Sequence, residues 1–306
     1  MTNEGIRVRR VAGTQFLITA VRIAMLCALA LGLSLIANAQ LNNPQGLAFD
    51  STGHLWVANS GANNVLELNA SNGAVLNTIT NGVNSPAEVF FVGGNLYVLN
   101  TGGYTITEYD NLAVAGATLV STISIPDTVD LPMGAAVDVY GDVYVSGNQS
   151  GNIIALNIDG GQIENLTQDN QGFPFYPGGR LVIHGQDIYS AFGSGDSEDA
   201  VISYNVGEFL TSDPQEITVY NDNVNTGPTG IAFDTAGNVY ISEYYSGSWV
   251  EYAANGGSPV LVQNSHVNGP EGIAVAKNGK IYVSNSAANN ITWYHPTTGK
   301  FGGTLD

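Results

Sequence analysis

A unit that recurs every 42 to 51 residues is the feature that most limits what this chain can fold into. The full unit has Pro-x-Gly, an apolar stretch, a tight turn, a second apolar stretch with one aromatic residue, and then Asn or Ser. Periods of this length are typical of stacked repeats, so the sequence predicts one repeat domain. The clearest copies begin at Pro44, Pro228 and Pro270, and weaker copies begin at Pro86, Pro132 and Pro177.

The local chemistry of each unit predicts four β-strands. In the first unit the turn Ser51-Thr52-Gly53 separates two apolar stretches, and further strands are expected at Asn64–Leu68 and Ala74–Ile79. A four-stranded sheet cannot bury both of its faces alone, so the units must stack around an axis. We therefore predict an all-β fold over residues 40–306. It is a six-bladed β-propeller of four-stranded antiparallel blades that start near residues 41, 84, 126, 171, 225 and 267.

Residues 1–39 have the pattern of an export signal peptide. An arginine-bearing start leads into the apolar run Ile23–Ile36, and Ala37-Asn38-Ala39 is the small-x-small pattern that precedes cleavage. We expect cleavage before Gln40 and a secreted or periplasmic protein with no stable membrane anchor. The alternative is a membrane anchor, but this apolar run is shorter than the roughly 20 residues that span a bilayer. The single cysteine, Cys27, lies in this segment, so the exported chain has no disulfide.

The region after the export signal is strongly acidic. From residue 40 onward it carries four basic and 25 acidic residues, a formal net charge of −21. Such a surface repels phosphate backbones and anionic lipid headgroups, which argues against nucleic-acid binding and electrostatic membrane attachment. A protein, a peptide, a neutral glycan or a cation suits this surface better, and we expect the protein to be a monomer.

One aromatic residue occupies a matching position in the second strand of every unit. Aromatic residues repeated at one strand position are expected to pack between successive blades, although a sugar-stacking surface is the alternative. We assign a stabilising role to these residues, which are Trp56, Tyr97, Tyr144, Tyr189, Tyr240 and Tyr282.

The repeat resembles the NHL-repeat family of propellers. That family's unit has Pro-x-Gly, an apolar strand, Asp, Gly-Asn, apolar-Tyr-Val, and Asp or Asn with Gly-Asn-Asn. Units 1, 5 and 6 match most of this pattern, whereas units 2, 3 and 4 depart at the glycine or at the loop after the second strand. The resemblance implies a propeller over about 85% of the chain. It leaves the activity open, because the family includes protein-binding, RNA-binding and enzymatic members.

The senescence-marker-protein and gluconolactonase group of propellers is also similar in fold. Several of its metal ligands lie beside the glycine of the first strand. Only Glu271 among the matching residues is a carboxylate, so the resemblance does not imply a cage of oxygen ligands for a hard cation. The matching residues are Gln45, Ala87, Met133, Gly178, Thr229 and Glu271.

The streptogramin B lyase group is similar in fold as well, and its catalysis uses paired histidines and a glutamate on one face of the ring. We expect His54, His184 and His295 on the opposite face and His266 alone on the matching face. A solvated loop histidine is the alternative interpretation of His266. The candidate acid–base residues for an enzyme are Glu271, Glu243 and His266.

Strand alternation brings the loops before each first strand and the loops joining strands two and three to one face, called here the upper face. These loops are the longer ones, so the upper face is the predicted functional face. Aromatic residues of units 4 and 5 are expected to form a platform for a sugar ring or peptide, with local loop packing as the alternative. The ligand-binding candidates are Gln45, Asn59, Asn100, Phe173, Phe175, Tyr176, Tyr244, Tyr245 and Asn285.

Near the axis, the amide side chains among these candidates are expected to line a polar funnel together with Glu243 and Glu271. The alternative is that the asparagines fix turns by bonding to the backbone. Arg180 is the only arginine after the export signal. We predict that it pairs with an inner carboxylate such as Asp138, with anion recognition as the alternative.

The loop from Gly193 to Asp199 is the one predicted cation site. Asp196, Glu198 and Asp199 offer oxygen ligands for Ca²⁺, although their spacing is not that of an EF-hand. The alternative is a solvated acidic loop. We expect no other cofactor.

The sequence favours a binding scaffold that recognises a protein, peptide or glycan on the upper face and performs no catalysis. The alternative is a propeller hydrolase or lyase acting on a lactone or polysaccharide. A structural envelope or matrix protein is a third hypothesis, because low charge content and abundant Asn and Gly are compatible with it.

Overall fold

The computed structural model describes residues 40–112, 117–157, 160–166, 179–192, 200–205, 217–221, 226–254, 259–296 and 298–306. The chain divides into two units, Met1–Ala37 and Asn38–Asp306, and every described residue belongs to the second. The predicted export signal at residues 1–39 lies outside the described residues. Within the described part, no helix is long and apolar enough to span a membrane.

The described strands form four-stranded antiparallel sheets, each built from four consecutive strands. Blade 1 contains β1 (Pro44–Phe49), β2 (Leu55–Asn59), β3 (Asn64–Leu68) and β4 (Val75–Ile79). Blade 2 contains β5 (Pro86–Val92), β6 (Asn95–Asn100), β7 (Thr105–Asp110) and β8 (Thr118–Ser124). Blade 3 contains β9 (Pro132–Val137), β10 (Val143–Gly147), β11 (Asn152–Leu156) and β12 (Gln162–Leu166).

Three further sheets complete the described strands. Blade 4 contains β13 (Leu181–His184), β14 (Asp187–Phe192), β15 (Ala200–Asn205) and β16 (Ile217–Asn221). Blade 5 contains β17 (Pro228–Phe233), β18 (Val239–Glu243), β19 (Ser248–Tyr252) and β20 (Val260–Gln263). Blade 6 contains β21 (Pro270–Val275), β22 (Ile281–Asn285), β23 (Asn290–Tyr294) and β24 (Phe301–Leu305). Short 3-10 turns follow β2 at Ser60–Ala62 and β22 at Ser286–Ala288.

The predicted all-β propeller of four-stranded antiparallel blades is confirmed. The first strand of each sheet contacts the first strands of the two neighbouring sheets, and β1 also contacts β21, so the inner strands close into a ring. In five of the blades, nearly all strand and turn residues belong to the described part of the chain. In blade 4, the connecting segments 193–199 and 206–216 lie outside the described residues.

The seam between blades 6 and 1 closes without exchange of a strand. The Asn43 backbone N–H donates to Asn289 Oδ1 at 2.7 Å. The Tyr282 hydroxyl donates to the Ala70 carbonyl at 3.0 Å, and a shared hydrophobic cluster includes Leu47 and Tyr282. These contacts join the two ends of the repeat array, a feature that the repeat pattern alone leaves undetermined.

Five repeated aromatic residues of the second strands pack in clusters shared with the next sheet, namely Trp56, Tyr97, Tyr189, Tyr240 and Tyr282. Tyr97 packs in a cluster with residues of blade 3, and Tyr240 packs with residues of blade 6. Tyr189 is half-buried and packs against the cluster that includes Ile231 of blade 5. The fully or almost fully buried members of the set are Trp56, Tyr97, Tyr144, Tyr240 and Tyr282.

The glycine of Pro-x-Gly allows neighbouring blades to approach closely at the axis. A Cβ added at Gly272 would lie 2.5 Å from the Gln45 carbonyl oxygen of the next blade. A Cβ added at Gly230 would lie equally close to the carbonyl oxygen of Glu271. Because real Cβ atoms do not approach backbone that closely, these two positions require glycine where the inner strands meet.

Candidate functional site

Arg180 lies at the axis, where it contacts residues of three other blades. Its Nη1 lies 3.0 Å from Glu88 Oε2 and also donates to the Ala87 carbonyl. Its Nη2 donates to Gln45 Oε1 at 3.3 Å and lies 4.0 Å from Glu271 Oε2. Its Nε donates to the Glu271 carbonyl at 3.4 Å. One buried guanidinium therefore connects blades 1, 2, 4 and 6.

The prediction that Arg180 pairs with an inner carboxylate is confirmed, but Asp138, the example named, is not that carboxylate, because it bonds within its own turn. Asp138 Oδ1 accepts backbone N–H groups of Tyr140 and Asp142, and its Oδ2 accepts the Tyr144 hydroxyl at 3.1 Å. These bonds satisfy the carboxylate at the turn between β9 and β10. The inner carboxylate that pairs with Arg180 is Glu88.

Burial controls the electrostatics around Arg180. Desolvation raises the pKa of Glu88, and the positive charge and hydrogen bond of Arg180 oppose that rise. Desolvation likewise raises the pKa of Glu271, against the attraction of Arg180. A guanidinium occupies the space between the two carboxylates, so this donor set holds a fixed cation of the chain rather than a metal ion.

A cavity of about 210 Å³ opens on the upper face beside the axis. Tyr244 and Tyr245 lie at its edge, with 37% and 70% of their surface exposed and their rings edge to face at 5.5 Å. The lining residues are Met133, Asn148, Gly227, Pro228, Thr229, Tyr244, Tyr245 and Glu271.

The two tyrosines are held by the backbone before β17. The Tyr244 N–H donates to the Gly227 carbonyl at 2.7 Å, and the Tyr245 N–H donates to the Thr226 carbonyl at 2.9 Å. Gly227 has φ +65, and a Cβ added there would lie 2.4 Å from Cδ2 of Tyr245. The close approach of this ring requires glycine, so Tyr245 is positioned by a defined turn.

The asparagines of the predicted funnel are buried and bond to the loop before the first strand of their own blade. Asn59 Oδ1 accepts the Asn42 N–H at 2.7 Å, and Asn285 Oδ1 accepts the Asn268 N–H at 3.0 Å. Asn100 accepts the backbone N–H of residue 84 in the same way, at 2.9 Å. This geometry matches the alternative interpretation, in which the asparagines fix turns. Among the amide candidates, Gln45 contacts Arg180 at the axis.

The candidate acid–base residues each have other contacts. Glu243 is buried, and its Oε2 accepts the hydroxyls of Ser248 at 2.5 Å and Ser246 at 3.1 Å. His266 is exposed and stacks on Phe301 with ring centroids 3.8 Å apart. The cavity that Glu271 lines includes neither Glu243 nor His266 in its walls.

Several predicted site residues lie outside the described residues. They are the aromatic residues of the unit 4 loop and the acidic residues of the predicted Ca²⁺ loop, namely Phe173, Phe175, Tyr176, Asp196, Glu198 and Asp199. Their roles stay predictions.

A second cluster lies on the opposite face, called here the lower face, and the sequence analysis did not assemble it. His54 Nδ1 lies 2.7 Å from Glu67 Oε1 and 3.6 Å from Asp50 Oδ2. The register of β2 and β3 pairs Trp56 with Glu67, which brings Glu67 beside the turn that holds His54. Hairpin register was the signal that could have revealed this contact.

The carboxylates of this cluster differ in environment. Burial raises the pKa of Glu67, although the contact with His54 acts in the other direction. For Asp50, burial also acts to raise the pKa, but hydrogen bonds from Thr52, Trp56 and His54 outweigh it and lower the pKa.

Sequence comparison adds evidence for the family of the repeat. The NHL repeat family model matches residues 41–67, which span β1 to β3 of blade 1. Blade 1 of this propeller is therefore similar to an NHL repeat. Among curated proteins, no sequence matches this chain significantly.

Solved structures with the same fold include both an enzyme and a protein complex. Streptogramin B lyase is similar with a TM-score of 0.61 and 17% identity, over 88% of this chain and 85% of the lyase chain. A catalytically inactive His-to-Ala variant of virginiamycin B lyase from Staphylococcus aureus, in a structure with quinupristin, has a TM-score of 0.60 and 14% identity, over 87% and 86% of the chains. A chain of the nidogen/laminin complex has a TM-score of 0.65 and 14% identity, over 82% and 92%. At these identities the likeness shows the fold alone.

Proposed function

We propose that this NHL-repeat protein is an exported, six-bladed binding scaffold that recognises a protein or peptide on its upper face and performs no catalysis. The observation that carries the proposal is the pair of exposed tyrosines, Tyr244 and Tyr245, at the edge of the upper-face cavity. The predicted export signal in residues 1–39 and the absence of cysteine from residue 40 onward support a secreted or periplasmic scaffold.

The tyrosine pair has the chemistry of a recognition surface. Tyrosine offers a large contact area with few rotatable bonds and a polar end, and it is enriched at protein interfaces. The backbone bonds of Tyr244 and the close packing of Tyr245 on Gly227 limit the entropy that binding would cost.

Charge selects among possible partners. The region from residue 40 carries a formal net charge of −21, so its field attracts cationic segments and repels acidic ones. We infer that the preferred partner presents Lys or Arg side chains next to apolar ones, which can stack on the tyrosine rings.

The similarity in fold to streptogramin B lyase supports a second candidate, a lyase or hydrolase. The inactive lyase variant named above shows that a histidine matters to that relative. In this chain, His266 stacks on Phe301, and the Glu271 side chain faces the buried guanidinium of Arg180. These contacts favour binding over acid–base catalysis at the upper-face cavity.

The test compares partner binding by two variants of the full chain. Arrays of basic, neutral and acidic peptides and of glycans identify a ligand, and titration then measures its affinity for wild type and for Tyr244→Ala/Tyr245→Ala. We expect at least a tenfold loss, about 1.4 kcal/mol, because such aromatic anchors carry much of an interface's affinity.

The matched control is Tyr140→Ala. Tyr140 is 79% exposed in the turn between β9 and β10 on the lower face, so its removal should leave the affinity unchanged. Equal losses in both variants would contradict recognition at the upper face. Ligand turnover by wild type that is abolished in Glu271→Gln would instead establish the enzyme.

A further inference from the structure

Three side chains of types that can bind metal ions lie close together on the lower face of blade 1. Asp50, His54 and Glu67 each place a ligand atom within 4.8 Å of the other two. In a tetrahedral zinc site the ligand atoms lie about 3.4 Å apart, given metal–ligand distances of about 2.1 Å. The 3.6 Å from His54 Nδ1 to Asp50 Oδ2 is close to this value, and the 2.7 Å contact with Glu67 needs to open by less than 1 Å.

The surrounding bonds orient these ligands. Asp50 Oδ1 accepts the backbone N–H groups of Thr52 and His54 at 2.8 Å and 3.0 Å. Trp56 Nε1 donates to Asp50 Oδ2 at 3.1 Å. Hydrogen bonds of this kind fix the direction of a metal-binding carboxylate and support its affinity.

Equivalent positions in other blades provide an internal comparison. In blade 5, the positions of Asp50 and His54 are held by Asp234 and Asn238, and Asn238 Nδ2 donates to Asp234 Oδ2 at 2.7 Å. In blade 2, Asn95 takes the place of His54 and donates to Glu108 at 2.7 Å. An asparagine N–H satisfies each carboxylate but cannot bind a metal, whereas a histidine nitrogen can.

Blade 1 also differs from blade 2 in the residue of the fourth strand that pairs with the glutamate of the third strand. In blade 2, the Ser121 hydroxyl donates to Glu108 across β7 and β8 at 2.8 Å. The corresponding neighbour of Glu67 on β4 is Asn77, which is 7% exposed. Its Nδ2 has no hydrogen-bond partner among the described residues.

Asn77 lines the same cavity as the three ligands, a space of about 650 Å³. Burying an amide N–H without an acceptor costs free energy. We therefore expect an oxygen of a bound molecule to accept a hydrogen bond from Asn77 Nδ2. A water or carboxylate at the open coordination position of a metal would supply that oxygen. The cavity and the unpartnered amide thus point to a ligand independently of the Asp50–His54–Glu67 cluster.

We propose that Asp50, His54 and Glu67 bind one divalent transition-metal ion of the zinc class on the lower face, with the fourth position open to the cavity. One imidazole and two carboxylates suit Zn²⁺, whereas Ca²⁺ requires six to eight oxygen ligands. When His54 Nδ1 binds the ion, the ring keeps its proton on Nε2. The site lies on the face opposite Tyr244 and Tyr245 and does not depend on partner binding there.

The first experiment is calorimetric titration of the chelator-treated full chain with ZnCl₂, CaCl₂ and MgCl₂. We expect one equivalent of zinc to bind, and to bind more tightly than either other ion. Cobalt(II) serves as the spectroscopic probe, because visible absorption typical of four-coordinate cobalt reports nitrogen and oxygen ligands directly. Absence of zinc binding by wild type, or tighter binding of calcium, would overturn the proposal.

His54→Asn is the decisive variant because it installs the residue found in blades 2 and 5. We expect zinc affinity to fall at least 10- to 100-fold and the cobalt absorption to be lost. His295→Asn removes a different exposed histidine and should leave both readouts unchanged. Glu67→Gln is a second test, and thermal melts of metal-free protein verify that each variant folds. If the folded His54→Asn variant bound zinc as tightly as the wild type does, the proposed site would be refuted.

Discussion

Arg180 Nη1 lies 3.0 Å from Glu88 Oε2, and this buried ion pair joins the two units that depart from the repeat at equivalent places. Glu88 and Arg180 both occupy the position that is glycine in the other units, because each lies two residues before the residue that pairs with the second-strand tyrosine. Their side chains are 8% and 6% exposed. Two departures that would each be unfavourable alone therefore compensate each other across the axis.

We predict that Arg180→Met destabilises the propeller by about 3–5 kcal/mol, because it leaves the Glu88 carboxylate buried without a partner. Denaturant unfolding followed by circular dichroism measures the loss. Arg180→Met/Glu88→Gln should recover at least half of it, since the double variant removes the unpaired charge. Equal stability of the single and double variants would show that the two residues are not coupled.

The Pro-x-Gly glycine gives a second prediction. Gly272→Ala places a Cβ 2.5 Å from the Gln45 carbonyl, at the seam between blades 6 and 1. We expect a loss of about 1–3 kcal/mol, the range found for overpacked sites. Gly103→Ala is the matched control, because its nearest atom is the Thr105 hydroxyl at 3.2 Å, which can move. A similar loss in both variants would argue against a specific clash at the seam.

The propeller could be predicted from the sequence because each unit encodes its own strands. The prolines at 44, 86, 132, 228 and 270 are the first residues of inner strands, where proline's missing N–H is tolerated. The repeated aromatic position also identified residues that lie between blades. Local pattern suffices for such features, since they depend on neighbours in sequence or on the adjacent repeat.

Contacts across the axis and across a hairpin were harder to predict. Arg180 and Glu88 are 92 positions apart, and the sequence does not show which inner carboxylate faces the guanidinium. The partnership of His54 and Glu67 depends on the exact register of β2 and β3. The predicted funnel asparagines could be placed near the upper face, but only the structure distinguished loop-fixing bonds from exposed amides.

The predicted export signal gives a third prediction, since residues 1–39 lie outside the described structure. Expression of the full chain in a bacterial host with general secretion should release a protein whose first residue is Gln40, because Ala37-Asn38-Ala39 fits signal peptidase. Amino-terminal sequencing of the periplasmic and secreted fractions measures this. An Ala39→Tyr variant should accumulate uncleaved. Uncleaved wild type held in the membrane fraction would instead support the anchor.

The buried tyrosines predict a loss of stability at alkaline pH. Burial raises the pKa of Tyr97 to about 12, with a further contribution from Glu108. Burial is also the main cause of the raised pKa values of Tyr144, Tyr240 and Tyr282. The unfolded chain ionises these groups near pH 10, whereas the folded chain keeps them neutral.

The sign follows from proton binding. Above pH 10 the folded state binds more protons than the unfolded state, so the stability that is fully present below pH 10 falls as pH rises toward 12. Thermal melts between pH 8 and 12, paired with tyrosinate absorbance, test this. We expect part of the tyrosinate signal to appear only together with loss of sheet structure. If all tyrosines ionise near pH 10 while the sheet signal persists, then the aromatic residues of the second strands are accessible to solvent and do not form the contacts between blades.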